Sequence, residues 1–365
     1  MKEVTNPAAA SLIGWLRVQL FPAPLGVVAT LAILYFAWRI VPPLVDWALI
    51  RAVWSADDPA QCRAMMGQGA CWAFVADKYR FILFGTFPAD EQWRPALVIA
   101  ILIGLYGVSA PRYLRGVGLG MVWLVGLVSI GVLMWGGFLG LSYVETERWG
   151  GLTLTLLLST FGLAVAFPLA ILLALARRSG LPVLRWLAIA YIELIRGVPL
   201  VSLLFMASVM LPLFLPAGVS IDKLLRAQVA MIGFAAAYLA EVVRGGMQAI
   251  PRQQEEAAQA LGLGYWQRTR FVILPQALRI SIPPLINTFI GFFKDTSLVL
   301  VIGLFDFLTT LKVALSEPAW SGFGVEAYLF AAAGYFLFCY PMSRYSRMLE
   351  HRAAPGRGIQ NLREN

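Results

Sequence analysis

Residues 152–176 read LTLTLLLSTFGLAVAFPLAILLALA, an apolar run without one ionisable side chain, closed by the basic pair Arg177-Arg178. About 20 such residues carry an α-helix across the hydrocarbon core of a bilayer, where only intrasegment bonding satisfies the helical backbone. The run is therefore read as a membrane-spanning helix, and the rest of the chain is tested against the same criterion. Further windows lie at 25–41, 95–110, 116–143, 187–215, 225–240, 280–304 and 325–341. The fold class that follows is an all-α integral membrane protein with about eight transmembrane helices. The window at 95–110 is short, and the one at 187–215 is interrupted by Gly197, Pro199 and Pro212.

Composition agrees. Of 365 residues, 59% are hydrophobic and 13% charged, and the mean hydropathy is +0.74, outside the range of a water-soluble chain. The 12 Trp suit helix ends resting at headgroup level. The net charge of +9 does not mark a nucleic-acid binder, because its basic residues stand in short clusters between apolar windows. Three Cys and one His, widely scattered, exclude a metal site of ligand spacing.

Those basic clusters set the orientation. With the N-terminus inside, the inner segments hold Lys2 and Arg17, Arg112 and Arg115, Arg177, Arg178 and Arg185, Arg244 to Arg279, and Arg344 to Arg363. The outer segments hold fewer basic residues, and acidic ones beginning with Asp46, Asp57 and Asp58 outnumber them. The positive-inside bias thus places both termini in the cytoplasm. Residues 1–41 also have the outline of a cleaved signal peptide. Pro42-Pro43 stands where a small-residue cleavage site belongs, and the segment is read as a retained span. The outer loop 46–94 contains Cys62 and Cys71, and both a bridge and two free thiols remain open. Cys339 reads as a small core residue, and His351 as solvated in a basic tail.

Between two windows, a basic inner segment carries Glu256-Ala257-Ala258-Gln259-Ala260-Leu261-Gly262, then Val272-Ile273-Leu274-Pro275. Pro251 suits a first turn, Glu255 and Glu256 complement the positive helix end, and Gly262 is placed to stop the helix in a left-handed conformation. Ala257 and Ala258 would let a partner approach the backbone closely. These features alone leave two readings open, a docking helix and an unpartnered surface helix.

The stretch resembles the EAA motif of ABC importer permeases, E-A-A-x3-G-x9-I-x-L-P, with Val272 where Ile is usual. Three more segments resemble the polar amino-acid branch of that family: Glu193-Leu194-Ile195-Arg196-Gly197-Val198-Pro199-Leu200, Tyr238-Leu239-Ala240-Glu241-Val242-Val243-Arg244-Gly245-Gly246, and Lys294-Asp295-Thr296-Ser297-Leu298-Val299. Gln253 stands where the branch often has Gly. The resemblance implies a permease core at 150–345, an N-terminal extension at 1–149 with about three spans, as in the larger general L-amino-acid permeases, and a tail at 346–365. It implies that Glu256, Ala257, Ala258, Leu261 and Gly262 couple the chain to a separate cytoplasmic ATPase dimer. It further implies a second permease subunit, taken as a different chain, and a periplasmic amino-acid-binding protein in a bacterial inner membrane. The chain itself is expected to bind no cofactor, ATP being used by the partner.

Charges at membrane depth cost about 2.5–3.5 kcal/mol each, so Lys294 and Asp295 demand a reason. Together with Thr296 and Ser297 they are candidates for the substrate pathway, since such groups replace the water shell of a zwitterion; a structural salt bridge between helices is the plainer account. Glu193 and Arg196, three apart, are placed to pair with each other. No Lys follows a Gly, so there is no phosphate-cradling P-loop, and no Gly-x-Ser-x-Gly elbow occurs. The chain is not expected to be an enzyme. The rival reading is an ion-gradient-driven secondary transporter using Lys294, Asp295 and Glu193, and a third is a membrane scaffold.

Overall fold

The computed structural model describes residues 24–56, 58–109, 116–216 and 218–353. Lys2, Arg17, Asp57, Arg112, Arg115, Arg357 and Arg363, and the side chains of His351 and Arg352, lie outside the described residues. Among the described residues, seven helices are long and apolar enough to cross a membrane: Leu25–Ile50, Ala89–Ser109, Val117–Trp135, Gly151–Arg177, Lys223–Gln248, Tyr265–Ile302 and Gly324–Glu350. Helices Pro182–Gly197 and Leu200–Leu213 form an eighth if counted as one, but they meet at 103°. The window at 187–215, interrupted in sequence at Gly197, Pro199 and Pro212, is a span with a break. Its cause is local: the residue before a proline is pushed out of the helical region, and Val198 is extended at φ −110°, ψ 134°.

The chain divides into two compact units, Met1–Asp77 and Lys78–Asn365. In the first, α1 (Pro24–Val45) runs into a loop whose backbone is tied by Val53 N–H to Ala70 O and Ala70 N–H to Trp47 O, both 2.8 Å. The Trp72 indole donates to Ala48 O at 2.8 Å. Cys62 and Cys71 are joined by a disulfide, which resolves the alternative left open above. Helix α2 (Ala73–Phe84) carries the chain into the second unit.

There, α3 (Trp93–Ser109) and α4 (Val117–Trp135) are locked by a fully buried arginine. Arg94 donates from Nε to Leu133 O at 2.6 Å and from its two terminal nitrogens to Ser142 O at 3.0 Å and Met134 O at 3.4 Å. Leu133 and Met134 are in the last turn of α4, whose carbonyls have no intrahelical donors, so Arg94 caps that helix from outside. Glu91 neutralises the guanidinium and accepts the Ser142 hydroxyl at 2.6 Å.

The core joins α5 (Gly151–Arg177), α6 (Pro182–Gly197), α7 (Leu200–Phe205), α8 (Lys223–Gln248) and α10 (Leu274–Asp295). Short helix α9 (Arg252–Ala260) connects α8 to α10. Small residues repeat at helical spacing: Ala166, Ala170 and Ala174 on α5, and Ala227, Ala235, Ala236 and Ala240 on α8, all buried. In a bilayer, where lipid tails are as apolar as the helices, such residues are what allow helix surfaces to pack closely. Gly246 marks a close approach of α8 to α10, since a Cβ there would run into the Ser281 hydroxyl and come within 2.6 Å of Ala277 O.

Past α10 a 3₁₀ segment, Thr296–Ile302, ends on left-handed Gly303, and α11 (Phe307–Leu315) and α12 (Gly324–Ala353) follow. This region interlocks with the start of α5 and the end of α2. Gly151 N–H donates to Phe305 O at 2.8 Å, Phe307 N–H to the Thr155 hydroxyl at 3.0 Å, and the Thr153 hydroxyl to Leu83 O at 3.1 Å.

Replacing Arg94 with Ala leaves three carbonyls without their donor and Glu91 without its partner, at a cost of about 3–5 kcal/mol. The detergent-solubilised variant is expected to melt well below the wild type, with Glu91→Gln between the two; an unchanged melting temperature for Arg94→Ala would refute the capping role.

Candidate functional site

Helix α9 is built as its sequence dictates. Pro251 is the N-cap, with extended dihedrals, and Glu255 lies in the first turn. At the other end Gly262 is left-handed at φ 74°, its N–H donates to Gln259 O at 2.8 Å, and the Leu263 N–H donates to Ala258 O at 3.2 Å. This double closure is the Schellman arrangement, which a side chain at Gly262 would strain.

The helix has two unlike faces. Ala258 is buried, and Glu255 bonds inward to Arg178, the C-cap of α5, at 3.7 Å and to Arg268 at 4.0 Å. Glu256, Ala257, Leu261 and Gly262 are exposed. Leu261 is 81% exposed, and beyond it Trp266 is 71% and Phe271 66% exposed.

Above α9 lies an ion network. Arg177 at the end of α5 donates to Glu193 of α6 at 2.9 Å and to Glu241 of α8 at 3.3 Å. Glu241 also pairs with Arg244 on its own helix and with Arg196 of α6 at 4.0 Å. The expected Glu193–Arg196 pair is thus corrected: each is satisfied by another helix, because Arg177 and Glu241 offer partners that a helix-surface pair does not. Arg196 also lies 5.5 Å over the Tyr238 ring.

Lys294 and Asp295 end α10, the first exposed and the second half-buried, and neither closes an ion pair among the described residues. Thr296 is buried and its hydroxyl donates to Phe293 O at 2.8 Å, while Ser297 keeps partial exposure. No hydrogen bond or ion pair among the described residues joins this group to the network around Glu241.

Three residues were passed over in the sequence. Arg94 looked like an ordinary outer charge, and Glu241 was quoted only as part of a motif. The third, Asp306, is fully buried as the N-cap of α11, accepting from Leu308 N–H at 3.1 Å, Thr309 N–H at 3.0 Å, the Thr309 hydroxyl, and the Tyr335 hydroxyl of α12 at 3.4 Å. Burial pushes its carboxyl above the ordinary range, against the hydrogen bonds from Thr309, Leu308 and Tyr335 that pull it down. An acidic residue just before an apolar helix was the available signal.

Residues 166–355 match the family described as "Binding-protein-dependent transport system inner membrane component". The chain is 47% identical over 348 residues to the "Inner membrane amino-acid ABC transporter permease protein YhdY" of Escherichia coli K12, covering 94% of this chain and 93% of the relative. It is 36% identical to the "Glutamate/glutamine/aspartate/asparagine transport system permease protein BztC" of Rhodobacter capsulatus, covering 95% of each. Among solved structures, "Crystal structure of an amino acid ABC transporter with histidines" aligns at a TM-score of 0.50 and 32% identity, over 55% of this chain and 92% of that one.

Glu241 closes ion pairs of 4.0 Å or less with three guanidinium groups and Glu193 with one, and the Glu193 side chain is 56% exposed. Glu193→Ala is expected to cost under about 1 kcal/mol, and Glu241→Ala about 2–3 kcal/mol. Thermal melting of the purified variants ranks them; equal losses would show that Glu241 is not the hub.

Proposed function

The chain belongs to the family of binding-protein-dependent transport system inner membrane components and is a permease subunit of an ABC importer, and we propose that polar amino acids are its cargo. It is a multi-pass inner-membrane protein and a transport subunit, neither an enzyme nor a secondary transporter. ATP is used by a partner subunit, and a binding protein delivers the substrate. The amino-acid cargo is supported by the names of the two relatives that span nearly the whole chain.

The observation that carries the coupling assignment is the two-faced build of α9, closed by left-handed Gly262, bonded inward through Glu255 to the end of α5, and open outward at Ala257 and Leu261. We assign Glu256, Ala257, Ala258, Leu261 and Gly262 to contact with, or support of, the ATPase dimer on the cytoplasmic side, with both chain termini on that side. The second permease subunit is assigned to a different chain, and residues 150–345 to the permease core, with 1–149 as an extension and 346–365 as a tail.

For the pathway, Asp295 and Ser297 are the members of the 294–297 group best placed to meet a zwitterion. Asp295 is half-buried without an ion-pair partner among the described residues, and Ser297 is partly exposed. Thr296, whose hydroxyl is spent on Phe293 O, supports the turn, and Lys294 is kept as a flanking charge. Glu193 and Arg196 serve the architecture of the inner end.

Two experiments test these assignments. A tagged wild type is expected to bring down an ATPase from solubilised membranes, identified by mass spectrometry, and Gly262→Asp to lose it; equal recovery from both would remove α9 from the coupling role. Asp295→Asn is expected to impair amino-acid uptake at unchanged membrane abundance, and normal uptake kinetics would take Asp295 off the pathway.

A further inference from the structure

At the inner end of the second unit, α5, α6, α8 and α9 enclose a cavity of about 660 Å³. Its charged lining is Arg177, Arg178, Arg244 and Arg252 with Glu255 and Glu256. Its apolar lining includes Met247 and Ile273, both buried, and Ile250. We propose that this cavity binds the phosphodiester headgroup of an anionic phospholipid from the cytoplasmic leaflet. The inference rests on the orientation given under Proposed function.

Four arginines against two glutamates line the cavity. Arg177 and Arg244 are held in place by Glu193 and Glu241, so their geometry is fixed before any ligand arrives. Arg178 shares Glu255 with Arg268 over long separations of 3.7 and 4.0 Å, and Arg252 closes no ion pair among the described residues. Glu256 is exposed. Helix α9 starts at the same cavity, and its N-cap, Pro251, gives no side-chain oxygen to the first amides. Guanidinium groups and helix-start amides together match the planar, multidentate demands of a phosphate.

Position points to lipid as the source. Arg177 ends the span Gly151–Arg177, and Arg244, Met247 and Gln248 lie in the last turns of the span Lys223–Gln248, so the cavity sits where two helices leave the hydrocarbon. Basic pockets between helices at this level are suited to anionic headgroups, and the Met247, Ile250 and Ile273 wall suits the glycerol and first acyl carbons rather than a free ion.

The test uses the full chain purified with its co-purifying partners, delipidated and titrated with phosphatidylglycerol, phosphatidylcholine or inorganic phosphate, with retained lipid counted by native mass spectrometry. Wild type is expected to retain phosphatidylglycerol over phosphatidylcholine, the double variant Arg178→Gln/Arg252→Gln to hold it about tenfold more weakly, and Arg178→Lys/Arg252→Lys to keep most of it. Retention undiminished in the Gln variant overturns the site. Displacement of the lipid by equimolar inorganic phosphate overturns the lipid source in favour of a free anion. Labelling of Arg252→Cys by a membrane-impermeant maleimide in inverted and right-side-out vesicles checks the orientation separately. Labelling only from outside overturns that orientation whatever the lipid result.

Discussion

The close approach of α8 to α10 at Gly246 conditions the rest of the core. A methyl group there would be forced to within 2.6 Å of Ala277 O, and Ser281 of α10 donates to Val242 O of α8 at 3.2 Å beside it. In lipid no solvent-driven collapse separates good packing from bad, so a pair of helices that touch nearly at backbone level gains from dispersion and from each polar group it satisfies. With that pair fixed, the alanine rows of α5 and α8 bring the third helix in, and the buried Leu154, Leu158, Leu239 and Phe292 fill what remains. The ion pairs of this unit then gather towards the ends of the helices, while Ser159, Thr160 and Ser281 stay buried along them.

At the end of the bundle that carries α9, most of the ion pairs cross between helices, the Glu241–Arg244 pair within α8 being the exception. Arg177 reaches α6 and α8, Arg196 reaches α8, and Glu255 ties α9 to the end of α5. A partner pushing on α9 therefore acts on a connected set of helices rather than on a loop. The same network explains why Arg and Glu recur here despite the cost of charge near a membrane: each member of it is paired with a group of opposite charge.

Much of this was legible beforehand. The spans follow from hydropathy, and Gly262 as a helix stop follows from the need for a left-handed residue after Ala260 and Leu261. Pro199 announced an interruption, but the 103° bend did not follow, because a proline sets only the neighbouring dihedrals and packing sets the angle. Glu193 and Arg196 were read as partners because local spacing is visible in one dimension, whereas Arg177 and Glu241 come from elements 16 and 45 or more residues away. Arg94 was missed for a related reason: a buried cation betrays itself only through the carbonyls that surround it, and backbone carbonyls leave no mark in a sequence.

Helix α5 links the two ends, and its anchoring constrains how a push at one end is absorbed. Its first turns are held by Phe305 O, Leu83 O and the Phe307 N–H, around the Asp306-capped start of α11. Its last residue is held by Glu193 and Glu241, and the next, Arg178, by Glu255 of α9. Between them stands Pro168, which has no N–H to give to Ala164 and whose ring crowds that carbonyl. A helix clamped at both ends yields first where its ladder lacks a bond. A displacement that entered through Glu255 and Arg178 would therefore meet the least backbone resistance at Pro168, between buried Ala166 and Ala170.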